Sequence, residues 1–227
     1  MDNMRPISLV LLDLLYPPKC AFCEAVLKDS RQMVCPRCQA EISWLPEAER
    51  LQTGEHFTLC LSFSWYEHQF RFAMLQYKFH GQRHLAEVFA APLSNYIQER
   101  FLHRYDLITW IPISNERLRT RGYNQSELLA RAISERLGQP ALPLLHHPRP
   151  KPPQSGIATA ADRKANVSGC FALAPSPDLA GSRILLIDDV ITTGSTLEEA
   201  AQVLRAGGAA EVLCATVCRT RPGALSL

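Results

Sequence analysis

The stretch "ILLIDDVITTGST", Ile184 to Thr196, decides the fold. Four aliphatic residues make a run suited to a strand buried on both faces. The run ends in two adjacent carboxylates, Asp188 and Asp189, and then in a loop of small residues around Gly194. The segment that follows, "TLEEAAQVLRAGG", has helical spacing and carries Glu198 and Glu199 in its first turn. A loop of small residues at a helix N-terminus offers backbone N–H groups and hydroxyls to an anion, with the helix dipole behind them. It suits a phosphate. The two acids before it have the wrong sign for that phosphate, but they accept hydrogen bonds from sugar hydroxyls or help to position Mg²⁺. Together the two halves describe a phosphorylated sugar with its hydroxyls on the acids and its phosphate in the loop. Two rival readings account for part of the stretch. Thr196 with Glu199 fits a helix-capping box, which leaves the two aspartates and the Thr-Thr-Gly unexplained. An aliphatic strand ending in acids also suits a Walker-type nucleotide site, but the chain contains no GxxxxGK[ST].

Outward from this stretch, strand-like and helix-like segments alternate. "TLCLSFSWY" (Thr58 to Tyr66), "DLITWIPIS" (Asp106 to Ser114) and "AEVLCATVCR" read as strands. "FRFAMLQYKFHG", "HLAEVFAAPLSNYIQERFL" and "SELLARAISERLG" read as helices; Gly81 separates the first two, Pro92 lies inside the second, and Gly138 closes the third. Alternation of this kind predicts an α/β fold with a parallel, doubly wound sheet and ligands at the carboxyl ends of its strands.

The first 50 residues follow a different rule. "CAFC" and "CPRC" place Cys20, Cys23, Cys35 and Cys38 as two CxxC knuckles about a dozen residues apart, a spacing that closes four thiolates around one Zn²⁺. A disulfide pairing needs an oxidising compartment, and a thioredoxin-like redox site uses one CxxC rather than two in tandem. A closed four-sulfur site has no open coordination position, so its role is structural. The expected division is a helix and zinc ribbon over residues 1–50 and an α/β domain over 51–227. Cys214 and Cys218 fall inside a strand and read as small core residues.

The 227 residues carry 47% apolar and 20% charged side chains and a net charge of +2, ordinary for a folded soluble chain. No run approaches the roughly 18 apolar residues of a membrane helix. "ISLVLLDLLY" (Ile7 to Tyr16) is interrupted by Asp13 and followed by "PPKC", so it reads as a short amphipathic helix rather than a signal peptide, and the chain as cytoplasmic. The positive charge lies in the middle: Ser114 to Phe171 holds nine Lys or Arg against four Asp or Glu. That surplus is either a solvated face or an anion-binding one.

The stretch Ile184 to Thr196 resembles the 5-phosphoribosyl-1-diphosphate (PRPP) motif of type I phosphoribosyltransferases. The order of four-Cys ribbon, "YKFHGQRHLAEVFA", "WIPISNERLRTRGYNQSELLARAI", "PQSGIATAADRKANVSGCFAL" and PRPP motif is similar to the ComF family, which includes GntX-like DNA-utilisation proteins. The resemblance runs from about Cys20 to Arg219, and "RTRGYNQSELLA" is its most specific part. It implies a type I phosphoribosyltransferase-like sheet flanked by helices. It also implies that Asp188 and Asp189 meet the ribose hydroxyls, directly or through Mg²⁺, and that Thr192, Thr193, Gly194, Ser195 and Thr196 cradle the 5′-phosphate. Arg117, Arg119 and Arg121 would then lie by the pyrophosphate, with Arg121 joining the two aspartates as the catalytic set. "PKPPQSGIATAADRKANV" would be a loop that closes over the sugar, with Gln154, Arg163 and Lys164 its polar members. For function, the resemblance implies natural transformation: handling of imported single-stranded DNA in the cytoplasm, alongside other DNA-uptake proteins. Tyr123 among Arg119, Arg121 and Arg131 would give that strand a stacking surface. The alternative is a Mg-dependent transferase moving ribose 5-phosphate from PRPP to a nitrogen acceptor that no stretch of the chain identifies.

Overall fold

A computed structural model describes residues 17–29, 31–148, 169–175 and 178–221 of the chain. The alternating segments become seven strands and six α-helices among those residues. The strands are β1 (Leu51–Gln52), β2 (Leu59–Trp65), β3 (Leu107–Trp110), β4 (Leu145–His146), β5 (Ala172–Leu173), β6 (Arg183–Ile191) and β7 (Glu211–Arg219). The helices are α1 (Pro36–Glu41), α2 (His68–Phe79), α3 (Leu85–Phe101), α4 (Asn115–Arg121), α5 (Gln125–Leu137) and α6 (Ser195–Ala206). The main sheet has the order β1-β2-β7-β6-β3, parallel except at the short antiparallel edge β1, and β4 pairs with β5 in a small second sheet.

The aliphatic run is central, as its burial demands. Ile184, Leu185, Leu186 and Ile187 have no measurable exposure, and the period of two sends them to opposite faces. Leu185 and Ile187 pack with α2, α3 and α5; Ile184 and Leu186 pack with α6, together with Leu179 and Phe171. Cys214 and Cys218 are buried core residues of β7. α3 runs unbroken through Pro92. Gly138 ends α5 in the left-handed conformation, φ 67°, with its N–H donating to Ser134 O. The short sheet β4–β5, the two-residue edge β1 and the separate helix α4 are features the sequence pattern does not single out.

The four ribbon cysteines converge. Their sulfurs all lie within 4.8 Å of one another, and Cys23 Sγ to Cys35 Sγ is 3.7 Å. Tetrahedral Zn–S bonds of about 2.3 Å require sulfurs roughly 3.8 Å apart, so the cluster fits one zinc. Burial pushes the Cys20 thiol up, but N–H groups of Cys35, Phe22 and Cys23 pointing at its sulfur outweigh that and bring it down to about 7. Cys20 is thus poised as the thiolate a metal needs, whereas burial and the neighbouring cysteines push the Cys38 thiol up while no metal holds it. The ribbon is also welded to the sheet domain: Cys20, Phe22, Leu27 and Cys38 belong to the same core as α2 and α3, and the Phe22 and Phe70 rings meet edge to face at 4.9 Å. Replacement Cys38→Ser is therefore expected to abolish the one equivalent of zinc that metal analysis should find in the parent. It should also lower the thermal midpoint of the whole chain. A variant that melts like the parent would mean that the ribbon is not coupled to the sheet.

Candidate sugar-phosphate site at the end of β6

β3 stops at Trp110, where Pro112 interrupts the ladder, while β6 runs on past the last shared pair, Trp110 with Ile187. The two acids lie on this overhang, on the rim of a cavity of about 540 Å³. Its walls include Lys78 from α2, Arg117 and Arg121 from α4, Gln125 and Ser126 from α5, and Ser195 and Thr196 from α6.

Each acid has its own support. Asp189 is buried and pairs with Lys78 Nζ at 2.7 Å. Burial works against the Lys78 charge, but Asp189, with Asp188 behind it, more than reverses this and raises the Lys78 pKa. Asp188 accepts on one oxygen from Ser126 Oγ at 2.8 Å and from its neighbour's backbone N–H at 2.9 Å. Burial, then the Asp189 charge, push its carboxyl up to about 7, against the pull of Ser126 and Lys78. A carboxylate held short of neutralisation in this way seeks a further donor or cation. Among the described residues each acid keeps one oxygen outside these contacts, a donor set that fits sugar hydroxyls or a Mg²⁺.

The surrounding sequence explains the placement. In "RGYNQSE", Asn124 caps α5 by accepting from the Ser126 and Glu127 amides, and its Nδ2 donates to Ile111 O, which fixes α5 to the end of β3. Ser126 consequently opens the helix directly over Asp188. α2 is tied to the same turn: Tyr77 Oη donates to Gln125 O at 2.7 Å, Gln125 Nε2 to Lys78 O at 3.4 Å, and Tyr123 Oη to Tyr77 O. The stretches "YKFHG" and "RGYNQSE", about 45 residues apart in the chain, thus form one brace behind the acids.

Across from the acids, Gly194 at φ 83° turns the chain into α6, a conformation open to glycine. No side chain caps this helix, so the capping box expected of Thr196 and Glu199 does not form. Thr196 lies inside the first turn, and Glu199 instead accepts from the Gly169 and Cys170 amides, at 2.9 and 2.6 Å. Glu198 accepts from the Glu55 and His56 amides, both at 2.8 Å. The acids of the first turn are thereby drawn sideways, and the exposed Thr193 and Ser195 hydroxyls, 2.9 Å apart, stand at the helix end with the Thr196 amide. Thr192 is exposed beside them.

Arg117 and Arg121 are four residues apart on one face of α4 and line the cavity; Arg119, between them, is exposed and does not. Burial and the Arg117 charge together depress the Arg121 pKa despite attraction to Asp189. Glu116, in the first turn of the same helix, lines the cavity beside the two arginines, so two guanidiniums face one carboxylate on this wall. Gln154, Arg163 and Lys164 lie outside the described residues. Tyr123 departs from its expected role: it is 6% exposed, anchored to Tyr77 and covered by Arg83, so no base can stack on it. Lys78, Ser126 and His147 were missed. Lys78 carries only the weak signal of a lone charge near the end of an amphipathic helix, and Ser126 reads in sequence as a helix start.

With this geometry in place, the comparisons are specific. Residues 125–225 match the phosphoribosyl transferase domain and residues 11–51 the double zinc ribbon domain. The chain is 30% identical to DNA utilization protein YhgH of Salmonella typhimurium, over 88% of this chain and 90% of that one. The chain belongs to the ComF family. It is 29% identical to competence protein F of Haemophilus influenzae (86% of this chain, 93% of that one) and 29% to competence protein ComFC of Bacillus subtilis (88% and 84%). The fold of this ComF protein is accordingly a phosphoribosyltransferase-type α/β sheet with an N-terminal zinc ribbon, and the cysteine cluster supports structural zinc. No helix among the described residues is long and apolar enough to cross a membrane.

The Asp188 environment sets a pH dependence. Between about pH 4 and 7 the folded carboxyl holds a proton that the unfolded one has released, so this group's contribution to stability falls as pH rises through that window. Asp188→Asn removes the penalty. In a buffer without Mg²⁺ at pH 8 its thermal midpoint should exceed the parent's by on the order of 5 °C, with the gap closing toward pH 4. An equal gap at both pH values would contradict the raised pKa.

Proposed function

We infer that the cavity at the end of β6 binds PRPP or a sugar phosphate of the same shape. In this reading the ribose hydroxyls meet Asp188 and Asp189, the 5′-phosphate sits at Thr192 to Thr196, and the pyrophosphate faces Arg117 and Arg121. The observation that carries it is the placement of a half-neutralised acid pair and an uncapped helix N-terminus on one cavity whose third wall is cationic. Arg119 serves the outer surface rather than this cavity. Asp188 and Asp189 would hold a Mg²⁺, which would supply charge neutralisation for the substrate phosphates. The protein acts in the cytoplasm in DNA uptake or utilisation, handling single-stranded DNA alongside other uptake proteins. Relatives named for competence and DNA utilisation support that role.

One observation favours turnover of the bound sugar as a second reading. The half-buried His147 ring lines the same cavity, backed at 5.0 Å by the buried Phe171 ring, and gives a planar nitrogen heterocycle a surface to lie on. Burial lowers the His147 pKa, which favours an uncharged ring that can accept as well as donate a hydrogen bond.

Calorimetric titration with PRPP, with and without Mg²⁺, tests the site. The parent should bind, and the double variant Asp188→Asn/Asp189→Asn should bind at least about tenfold more weakly while remaining folded. A parent that does not bind PRPP under either condition refutes the assignment. Given binding, release of pyrophosphate with one member of a panel of bases and amines establishes a transferase. Inactivity across the panel, with single-stranded DNA bound, leaves a binding module.

A further inference from the structure

The buried Tyr123 has an exposed neighbour with the properties it lacks. Phe79, at the end of α2, is 58% exposed, and the Arg121 guanidinium lies over its ring at 4.9 Å. Leu118 on α4 is 41% exposed, and His80 and Gly81 continue the open surface to Arg83. Arg83 donates to Gly122 O at 3.2 Å, so the end of α2 and the end of α4 form one ledge. Arg131 and Arg136 in the same basic stretch are held by Glu127 at 2.9 Å and Glu87 at 3.2 Å, whereas Arg83, Arg117 and Arg119 have no carboxylate partner among the described residues. The basic surplus of the middle of the chain is thus sorted: α5 holds its arginines in ion pairs, whereas on α4 Arg117 and Arg121 line the cavity and Arg119 is exposed.

An exposed ring flanked by unpaired guanidiniums is poorly explained as a solvated face, since it leaves apolar surface in water and like charges together. It matches what an unpaired nucleic-acid strand needs, a π-face for a base and cations for the phosphates on either side. A duplex offers no free base face to Phe79 and would use only the charge. We propose that the ledge formed by Phe79, Arg83, Leu118 and Arg119 is the binding surface for single-stranded DNA, with one base stacked on Phe79. This rests on the DNA-handling part of the proposed function. It places the strand at the mouth of the sugar-phosphate cavity, because Arg121 touches Phe79 on one side and lines the cavity on the other.

The test is fluorescence anisotropy of a labelled oligo-dT of about 20 nucleotides across a salt series. Phe79→Ala should weaken binding on the order of tenfold with the salt slope unchanged, and Phe79→Trp should restore it. Arg83→Gln should weaken binding and reduce the salt slope by about 0.7, the loss of one phosphate contact. Because Phe79 and Arg83 are exposed, the variants should melt with the parent, and PRPP titration of Arg83→Gln should match the parent. A parent that binds no single strand defeats both this surface and the DNA-handling reading. A parent that binds while Phe79→Ala and Arg83→Gln bind equally well defeats the surface alone, as does equal affinity for a duplex of the same length.

Discussion

Two adjacent carboxylates at the end of a central strand are the constraint around which the rest of the domain is arranged. Like charges on neighbouring residues of a half-buried strand repel, and burial penalises each. The structure answers asymmetrically: Asp189 takes a full cation from Lys78, and Asp188 receives only a hydroxyl and an amide. One acid thereby has a cation partner, while burial and its neighbour push the other, Asp188, up to about 7, where a ligand decides its protonation. To deliver those groups, α2 must end and α5 must begin over the same strand end. The Tyr77, Gln125 and Tyr123 hydrogen bonds hold them there.

The opposite wall solves a different problem. A helix whose first turn carries two glutamates would repel a phosphate at its N-terminus. Glu198 and Glu199 are instead each bound to a pair of backbone N–H groups, in the segment before β2 and in the segment before β5. Their negative charge is satisfied by amides to either side, and the dipole end is left to the small residues of the loop. The same two contacts fasten the β1–β2 and β5 approaches to α6, so the acids that would spoil an anion site also define its borders.

Much of this was legible in the chain. Ile184 to Ile187 announce a strand buried on both faces, Gly194 marks a backbone turn, the two CxxC knuckles converge as their spacing requires, and "SELLARAISERLG" forms the helix its spacing describes. What was not legible depends on faces and distances. Tyr123, two residues after Arg121, and Phe79, four residues before Arg83, are both aromatic residues in basic stretches, and sequence gives no ground for telling which is exposed. The fold chooses because Tyr123 follows the left-handed Gly122 and turns inward, whereas Phe79 follows the inward Phe70, Ala73, Met74 and Tyr77 positions of α2 by two residues from Tyr77 and so faces out. Lys78 escaped for a related reason: its partner is more than a hundred residues away, and local periodicity carries no trace of it. The Thr196–Glu199 box failed because a tertiary competitor, the amides of Gly169 and Cys170, took the glutamate.

α2 links the two domains. Its inward face rests on the ribbon through Phe70 and Phe22, its last turn supplies the Lys78 that holds Asp189, and its exposed end is Phe79. A cation at one residue, an aromatic platform at the next and a hydrophobic anchor two turns earlier require a straight, well-seated helix, because a rotation of one residue, 100° on a helix, would turn Lys78 to where the exposed Phe79 now faces and away from Asp189. Twelve residues supply too little intrinsic helicity to resist that alone. The ribbon supplies the missing constraint: a four-sulfur cluster gives a small loop-rich unit a rigidity its few apolar residues could not. That unit then presses Phe22 against α2 at a fixed point. A closed metal site with no chemistry of its own thus has a functional consequence, which is to set the rotation of the helix that serves both the acid pair and the ledge.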